Sequence, residues 1–175
     1  MRVGMATAPT ALSIAEFLSR SYEKPEPEYV AGEVLDRSMP KDAHSQAQAE
    51  LCVSFGVVRR KHTLFIRPEL RVRTGEESVR VIDVAIYTDK PNAPIPSNPP
   101  LIAVEILSPD DRAHVVLEKL NEYSAWGVRH VWLVDPESRE MFAWDGRSLA
   151  KQDALVAAEV EASLSPNDVF GPAAD

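Results

Sequence analysis

The sequence has one cysteine, no long apolar run and no apolar segment at its start. Cys52 cannot form a disulfide within the chain, and we assign this thiol no catalytic role. No stretch approaches the ~20 apolar residues that a membrane-spanning helix needs. The segment that begins at Met1 also lacks the apolar core of a secretory signal. We therefore expect a cytoplasmic globular protein without disulfides.

Positive charge is also scarce, with 19 Lys and Arg against 27 Asp and Glu and a net charge of -8. This balance argues against a generic nucleic-acid-binding protein, because counterion release from a polyanion rewards a cationic surface. The segment from Arg59 to Arg80 is the exception, since Lys and Arg outnumber acids there. It is either a patch that approaches phosphates or an ordinary solvated face.

The composition is otherwise that of a folded protein, with 45% hydrophobic and 26% charged residues. The 175 residues show no internal repeat, and this length favours one domain over residues 1–175. Ser13 and Glu16 form a capping-box pattern that predicts a short helix through Ser19. A proline-rich break follows this helix.

The next segments predict a hairpin and a long helix. Tyr29–Leu35 is expected to turn at Gly32, and Asp42 is expected to cap a helix that reaches about Arg60. The apolar stripe of that helix begins at His44.

The second half of the chain alternates strands with one helix. We predict strands at 63–66, 70–73 and 79–87, an exposed proline-rich connector at 88–100 and a buried strand at 101–107. Ser108–Asp111 is expected to cap a helix that ends at Gly127, followed by a buried strand at 128–134 and an edge strand at 141–144. The acid-rich tail has no clear pattern. The succession predicts an α/β fold in which helices flank a mixed β-sheet, with a core at about 28–145.

Three charged residues occupy positions where apolar side chains are expected. Asp83 lies in the apolar run 80–86, and Glu105 lies in the run 101–107. An unpaired buried carboxylate costs several kcal/mol, so a counter-charge must neutralise each acid. Lys119 is on the apolar arc of the predicted helix, between Tyr123 and Trp126. We predict that this helix brings the ammonium to both acids.

These residue types suit phosphodiester hydrolysis. Asp83 and Glu105 supply the oxygen ligands that Mg²⁺ or Mn²⁺ prefers, and the bound ion polarises a phosphate and lowers the pKa of a bound water. Lys119 then orients the water or stabilises the transition state. The structural alternatives stay open: the acids pair with Arg80 or Arg112, or end a strand in solvent, and the lysine extends along its aromatic neighbours to reach water.

Several separated motifs resemble one family. They are Tyr29-Val-Ala-Gly-Glu33, Met39-Pro40 followed by His44, Ile82-Asp83-Val84-Ala85, Val104-Glu105-Ile106-Leu107-Ser108-Pro109, Lys119-Leu-Asn-Glu-Tyr123, and Trp132-Leu-Val-Asp-Pro136. In order and spacing the chain resembles the Uma2 (DUF820) family of restriction-endonuclease-like proteins, within the PD-(D/E)XK nuclease superfamily. The resemblance implies a restriction-endonuclease-like core, Mg²⁺ or Mn²⁺ dependence and hydrolysis of DNA.

The resemblance also implies additional site residues, and the chain departs from the superfamily pattern at two positions. Glu33 is a candidate to complete the metal site, and His44 is a candidate site residue as well as a structural one. Ile82 replaces the usual proline before the aspartate, and Leu107 stands where the superfamily motif has its lysine. Activity then requires Lys119 to serve as a migrated lysine.

Three functions remain open from the sequence. They are a metal-dependent endonuclease, a non-catalytic nucleic-acid-binding or mobile-element accessory module with a degenerate nuclease fold, and a protein-interaction domain. A homodimer is expected by analogy with enzymes that cut both DNA strands.

Overall fold

The computed structural model describes residues 12–172. Within this range, strands β1 to β8 form one sheet with the order β2-β1-β4-β5-β6-β7-β8, and β3 pairs with β4 beside that path. Their bounds are β1 Glu28–Val30, β2 Glu33–Leu35, β3 Phe65–Gly75, β4 Ser78–Tyr87, β5 Ile102–Ile106, β6 His130–Asp135, β7 Glu140–Trp144 and β8 Leu149–Gln152. The β5–β6 pair is parallel and the other pairs are antiparallel, so the sheet is mixed.

Helices cover both faces of the sheet. The helices are α1 Ile14–Ser19, α2 Asp42–Val58, α3 Ala113–Trp126 and α4 Pro166–Phe170. On one face, Leu51 and Phe55 of α2 pack in a core with Val104, and α4 adds Phe170 to the same core. On the other face, Leu120 and Tyr123 of α3 pack against strand residues. The predicted α/β fold with a mixed sheet flanked by helices is confirmed.

Most predicted elements are present at the expected places. The capping box of α1 forms with both reciprocal bonds, the β1–β2 hairpin turns at Gly32, and α3 ends at Gly127 in the left-handed conformation. No helix in residues 12–172 is long and apolar enough to cross a membrane.

Both predicted caps of the longer helices were wrong. Asp42 is the first residue of α2 and Lys41 precedes it without a side-chain capping bond. Helix α3 begins at Ala113, later than Ser108–Asp111 predicted, because the Asp111 carboxylate accepts the Ser108 N–H at 2.8 Å and closes a separate turn.

The predicted strands differ in two further respects. Residues 63–73 contain one long strand, β3, instead of two strands, and Glu69 within it has a φ of 48°. Strand β7 is not at an edge, because β8 pairs with it. The tail also carries regular structure: a second sheet of β9 Leu155–Ala157 and β10 Ala162–Leu164, a 3₁₀ turn at Ala158–Val160, and α4.

Candidate active site

A cleft of about 420 Å³ lies beside the carboxyl end of β5, between the segment after β2 and the first turns of α3. Its charged and polar lining comes from Glu28, Asp36, Arg37, Ser38, His44, Asp83, Glu105, Ser108, Asp110, Asp111, Arg112 and Lys119. Apolar side chains, among them Leu107 and Val116, line the rest of its wall. The cleft therefore combines buried charge with solvent access.

The Asp83 carboxylate is buried on β4 and has partners on both oxygens. Its Oδ2 accepts the Ile106 N–H at 2.9 Å, the amide that directly follows Glu105 in the chain. The same oxygen lies 3.4 Å from His44 Nε2, and Oδ1 accepts Arg37 Nη2 at 2.8 Å. Asp83 thus lies against the Glu105–Ile106 peptide unit.

Glu105 is buried on β5 and its carboxylate faces α3. Its Oε1 accepts the Tyr123 hydroxyl at 2.9 Å, and its Oε2 lies 2.7 Å from Lys119 Nζ. Lys119 and Tyr123 are four residues apart, so both project from one face of α3 toward the sheet. The predicted approach of Lys119 to Glu105 is present in the structure, whereas the predicted contact with Asp83 is not, because the partners of the ammonium are Glu105, Glu28 and the Val81 carbonyl oxygen.

The Lys119 ammonium has three close acceptors. Besides Glu105, it lies 2.8 Å from Glu28 Oε1 and donates to the Val81 carbonyl oxygen at 2.8 Å. An ammonium carries three N–H donors, and each therefore has an acceptor. The ammonium is therefore fixed in position, and the Lys119 side chain does not extend into water.

Glu28 connects this ammonium to a second cation. Glu28 Oε1 also accepts the Val81 N–H at 2.9 Å, while Oε2 lies 3.0 Å from Arg80 Nη1. Arg80 in turn lies 2.6 Å from Glu122 of α3. Ions of alternating sign thus run from the half-buried Glu122 to the buried Glu105, and each cation lies between two carboxylates.

Burial and neighbouring charges shift the pKa values of these groups in opposite directions. Burial raises the pKa of Glu105 to about 8 although Lys119 lowers it, and Asp83 and Glu28 add to the increase. Burial also acts to lower the pKa of Lys119, but the Glu105, Glu28 and Asp83 carboxylates outweigh it and raise that pKa. For Asp83, the opposing effects of burial and of His44, Lys119 and Arg37 leave the pKa below its ordinary value.

The structure brings most predicted site residues together. Asp83, Glu105, Lys119 and His44 all line the cleft. Glu33 does not: it is exposed at the start of β2, and the cleft lining from this strand comes from Val34 and Leu35.

The basic segment Arg59–Arg80 does not form one phosphate-facing surface. Arg80 is 5% exposed and pairs with Glu28 and Glu122. Arg71 is packed over Phe17 and lies 3.4 Å from Glu26. These two arginines support the fold, so the interpretation of the whole segment as a patch was wrong.

Sequence reasoning missed Glu28 and Arg37. Glu28 ends a proline-rich segment of acids, where an exposed carboxylate is the ordinary expectation, and only the pairing of β1 with β4 brings it beside Arg80 and Lys119. Arg37 lies in the irregular segment between β2 and α2, which has no periodicity to indicate its direction.

The donor set of the cleft fits a hard divalent cation. Mg²⁺ usually takes one or two protein carboxylates and completes its shell with waters and phosphates. Asp83 and Glu105 offer two, and because burial raises the pKa of Glu105 to about 8 although Lys119 lowers it, a bound cation would favour the ionised form of this carboxylate. Among residues 12–172 there is no group of three or more His, Cys, Asp or Glu that could hold a metal ion. Carboxylate oxygens are ligands that suit Mg²⁺ and Mn²⁺.

The fold is that of a nuclease-like α/β protein. A solved structure from Anabaena variabilis ATCC 29413, described as "a putative nuclease belonging to DUF820", matches it with a TM-score of 0.79 and 24% sequence identity, over 93% of this chain and 98% of that one. The chain belongs to the Uma2 family, described as "Putative restriction endonuclease", whose profile matches residues 14–170. No curated protein matches its sequence.

Proposed function

We propose that the protein is an endonuclease that hydrolyses DNA phosphodiester bonds with Mg²⁺ or Mn²⁺ held by Asp83 and Glu105. The observation that carries the proposal is the convergence of these two acids and Lys119 in one solvent-reachable cleft. Membership in the family supports the reaction class. When bound, the cation would polarise the phosphate and lower the pKa of an attacking water.

Lys119 acts as a fixed positive charge in this proposal. Because its pKa is raised, the ammonium stays protonated at neutral pH and cannot serve as a general base. Its contribution is to stabilise negative charge that develops on the phosphate, which a preorganised cation does well. Burial raises the pKa of Tyr123 well above its ordinary value, so Tyr123 keeps its proton and holds Glu105 in place by donating to it.

Cleavage of supercoiled plasmid tests the proposal. The wild type should nick plasmid with Mg²⁺ or Mn²⁺ and not with EDTA, and Asp83→Asn and Glu105→Gln should reduce nicking to the level with EDTA. Asp89→Asn and Glu137→Gln are matched controls, because both residues are exposed and outside the cleft. Metal-dependent nicking that survives Asp83→Asn or Glu105→Gln would refute the assignment.

One observation favours the alternative of a DNA-binding module without turnover. All four carboxylate oxygens of Asp83 and Glu105 already have protein partners, so the cleft is electrostatically supported without a metal ion. A module without turnover would bind duplex DNA as tightly in EDTA as in Mg²⁺. In calorimetry with Mn²⁺, its wild type and Glu105→Gln would give the same result, because no ion binds at Glu105. Calorimetry beside the plasmid assay separates the two functions.

A further inference from the structure

Arg37 bridges two carboxylates at the wall of the cleft. Its Nη2 lies 2.8 Å from Asp83 Oδ1, and its Nη1 lies 2.7 Å from Glu69 Oε2. A longer contact of 3.4 Å joins Nη2 to Glu69 Oε1. The side chain is 16% exposed, and the residue lies on an irregular segment that lines the cleft.

Glu69 is the fixed partner of this pair. It lies on β3 opposite Asp83, between the pairs Pro68–Val84 and Leu70–Ile82, and the register of the two strands is the same on either side of it. Its left-handed backbone conformation is uncommon for a non-glycine residue, and such conformations cluster at functional sites. Gln48 donates to Glu69 Oε1 at 3.2 Å and to the Asp83 carbonyl oxygen at 2.9 Å. The carboxylate of Glu69 is thereby held independently of the Asp83 side chain.

Asp83 Oδ1 is the exchangeable partner. A divalent cation on Asp83 needs a carboxylate oxygen, and Oδ1 is held by a side chain, whereas Oδ2 accepts a backbone amide that cannot move away. A guanidinium displaced from Oδ1 keeps its contact with Glu69. Its planar fork then has donors free for a second oxyanion, and phosphate is the one that matches this geometry best.

The charge of the cleft favours a cation that can turn toward a polyanion. The lining holds six acids against three Lys and Arg side chains; the acids are Glu28, Asp36, Asp83, Glu105, Asp110 and Asp111. Of the cations, Arg112 is exposed, and Lys119 has all three N–H donors engaged, so it acts on a phosphate through its charge and not through a hydrogen bond. Arg37 can release a partner and remain in the cleft.

We propose that Arg37 exchanges partners: it neutralises Asp83 in the metal-free protein, leaves that oxygen when a divalent cation binds, and then, still held by Glu69, donates to a DNA phosphate. The proposal rests on the proposed function, because a divalent cation and DNA are the two ligands it connects. Arg37 is thus a substrate-contacting residue whose availability depends on the metal, and Glu69 is its positioning residue.

The first test is calorimetry with Mn²⁺ and Ca²⁺ in the absence of DNA. Arg37→Gln should bind either cation about tenfold more tightly than the wild type, since the ion no longer competes with a charge-assisted pair. Arg147→Gln is the matched control, because Arg147 is exposed in the turn before β8 and outside the cleft. Circular dichroism and thermal unfolding check that each variant is folded.

The second test is fluorescence anisotropy of a labelled DNA duplex, in EDTA and in Ca²⁺. In EDTA, Arg37→Gln and the wild type should bind equally, because Arg37 is held on Asp83. In Ca²⁺, Arg37→Gln should bind about tenfold more weakly than the wild type. Glu69→Gln removes the anchor without touching Asp83 and should lose the same Ca²⁺-dependent affinity, which keeps the test decisive if Arg37→Gln fails to fold.

Two results overturn the proposal: cation affinity that does not rise in Arg37→Gln, or a loss of DNA affinity that is equal in EDTA and in Ca²⁺. Neither measurement requires turnover. If the wild type fails to nick plasmid, the proposed hydrolysis is refuted, whereas the exchange of Arg37 is still decided by binding alone.

Discussion

At the scale of residues, Glu28 connects two buried cations of the candidate site. It joins Lys119 to Arg80 while 5% exposed, and loss of its charge leaves two buried cations with too little negative charge. Positive charge on Lys119 depends on such neighbours, because burial alone acts to lower its pKa. Glu28 is therefore a positioning residue for Lys119.

We expect Glu28→Gln to lower the free energy of unfolding by about 3 kcal/mol, the usual cost of removing one member of a buried ion pair. Urea denaturation measures the change. Glu33→Gln on the same hairpin is the control, because Glu33 is exposed, and its effect should stay within about 0.5 kcal/mol. Equal stability of the two variants would contradict the role given to Glu28.

The pKa of Glu105 predicts a pH dependence of stability without metal. Because burial raises this pKa from an ordinary value of 4.5 to about 8, the folded protein binds more protons than the unfolded chain between these values. The stabilisation is complete below the lower value and is lost as pH rises through the upper one. Urea denaturation in EDTA should therefore give a free energy of unfolding that falls with pH across this range.

Glu105→Gln should remove that part of the pH dependence, since the amide does not titrate. The two proteins share every other ionisable side chain, so the difference between the two curves isolates Glu105. Parallel curves for the variant and the wild type would show that the Glu105 carboxylate is ionised throughout the range.

At the scale of elements, the position of Lys119 depends on how α3 ends. Gly127 closes the helix with a φ of 109°, and an added Cβ would lie 3.5 Å from Pro99 of the connector. Gly56, by contrast, lies within α2, and an added Cβ there would have nothing within 4 Å.

Alanine should therefore have opposite effects at the two glycines. Gly127→Ala should destabilise the protein by about 1 kcal/mol, because an L residue is strained in the left-handed conformation. Gly56→Ala should stabilise it by about 0.5–1 kcal/mol, because alanine is the better helix former. Thermal unfolding measures both changes, and a shift of the same sign in both variants would contradict this description of α3 and α2.

The elements that sequence predicted are those with strong local signals. A capping box defines α1, and an apolar arc places Lys119 toward the sheet. The tail offered one such signal, the capping box of Ser165 and Asp168 that begins α4, which our prediction did not use. Strands β9 and β10 are three residues each and are stabilised by packing against the core, so no local pattern predicted them. Arg37 could not be predicted because no periodicity fixes the direction of a side chain in an irregular segment.

At the scale of the whole molecule, the distribution of charge differs from a basic patch at Arg59–Arg80 on an acidic protein. The protein has a net charge of -8, and its basic segment places Arg80 in the interior. The cleft itself has more acids than bases. Under the proposed function, approach of DNA to this cleft would depend on added cations. The extent of the domain and the expected homodimer stay predictions.

Leu107 makes Lys119 the residue on which the proposed hydrolysis depends. Leu107 lines the cleft at the position where the superfamily motif has its lysine, and it can donate neither charge nor proton. Lys119 approaches Glu105 from α3 instead, at 2.7 Å. The proposed hydrolysis thus requires Lys119, carried by α3, to perform the role of the lysine that Leu107 replaces.

The most direct test is the single-turnover rate of DNA cleavage by Lys119→Met at saturating Mn²⁺, compared with the wild type and with Lys90→Met, an exposed lysine of the connector. The account predicts that Lys119→Met lowers the rate by about 10²–10³, the usual loss when a preorganised charge-stabilising group is removed, while Lys90→Met cleaves at the wild-type rate. A folded Lys119→Met protein that cleaves as fast as the wild type would contradict it.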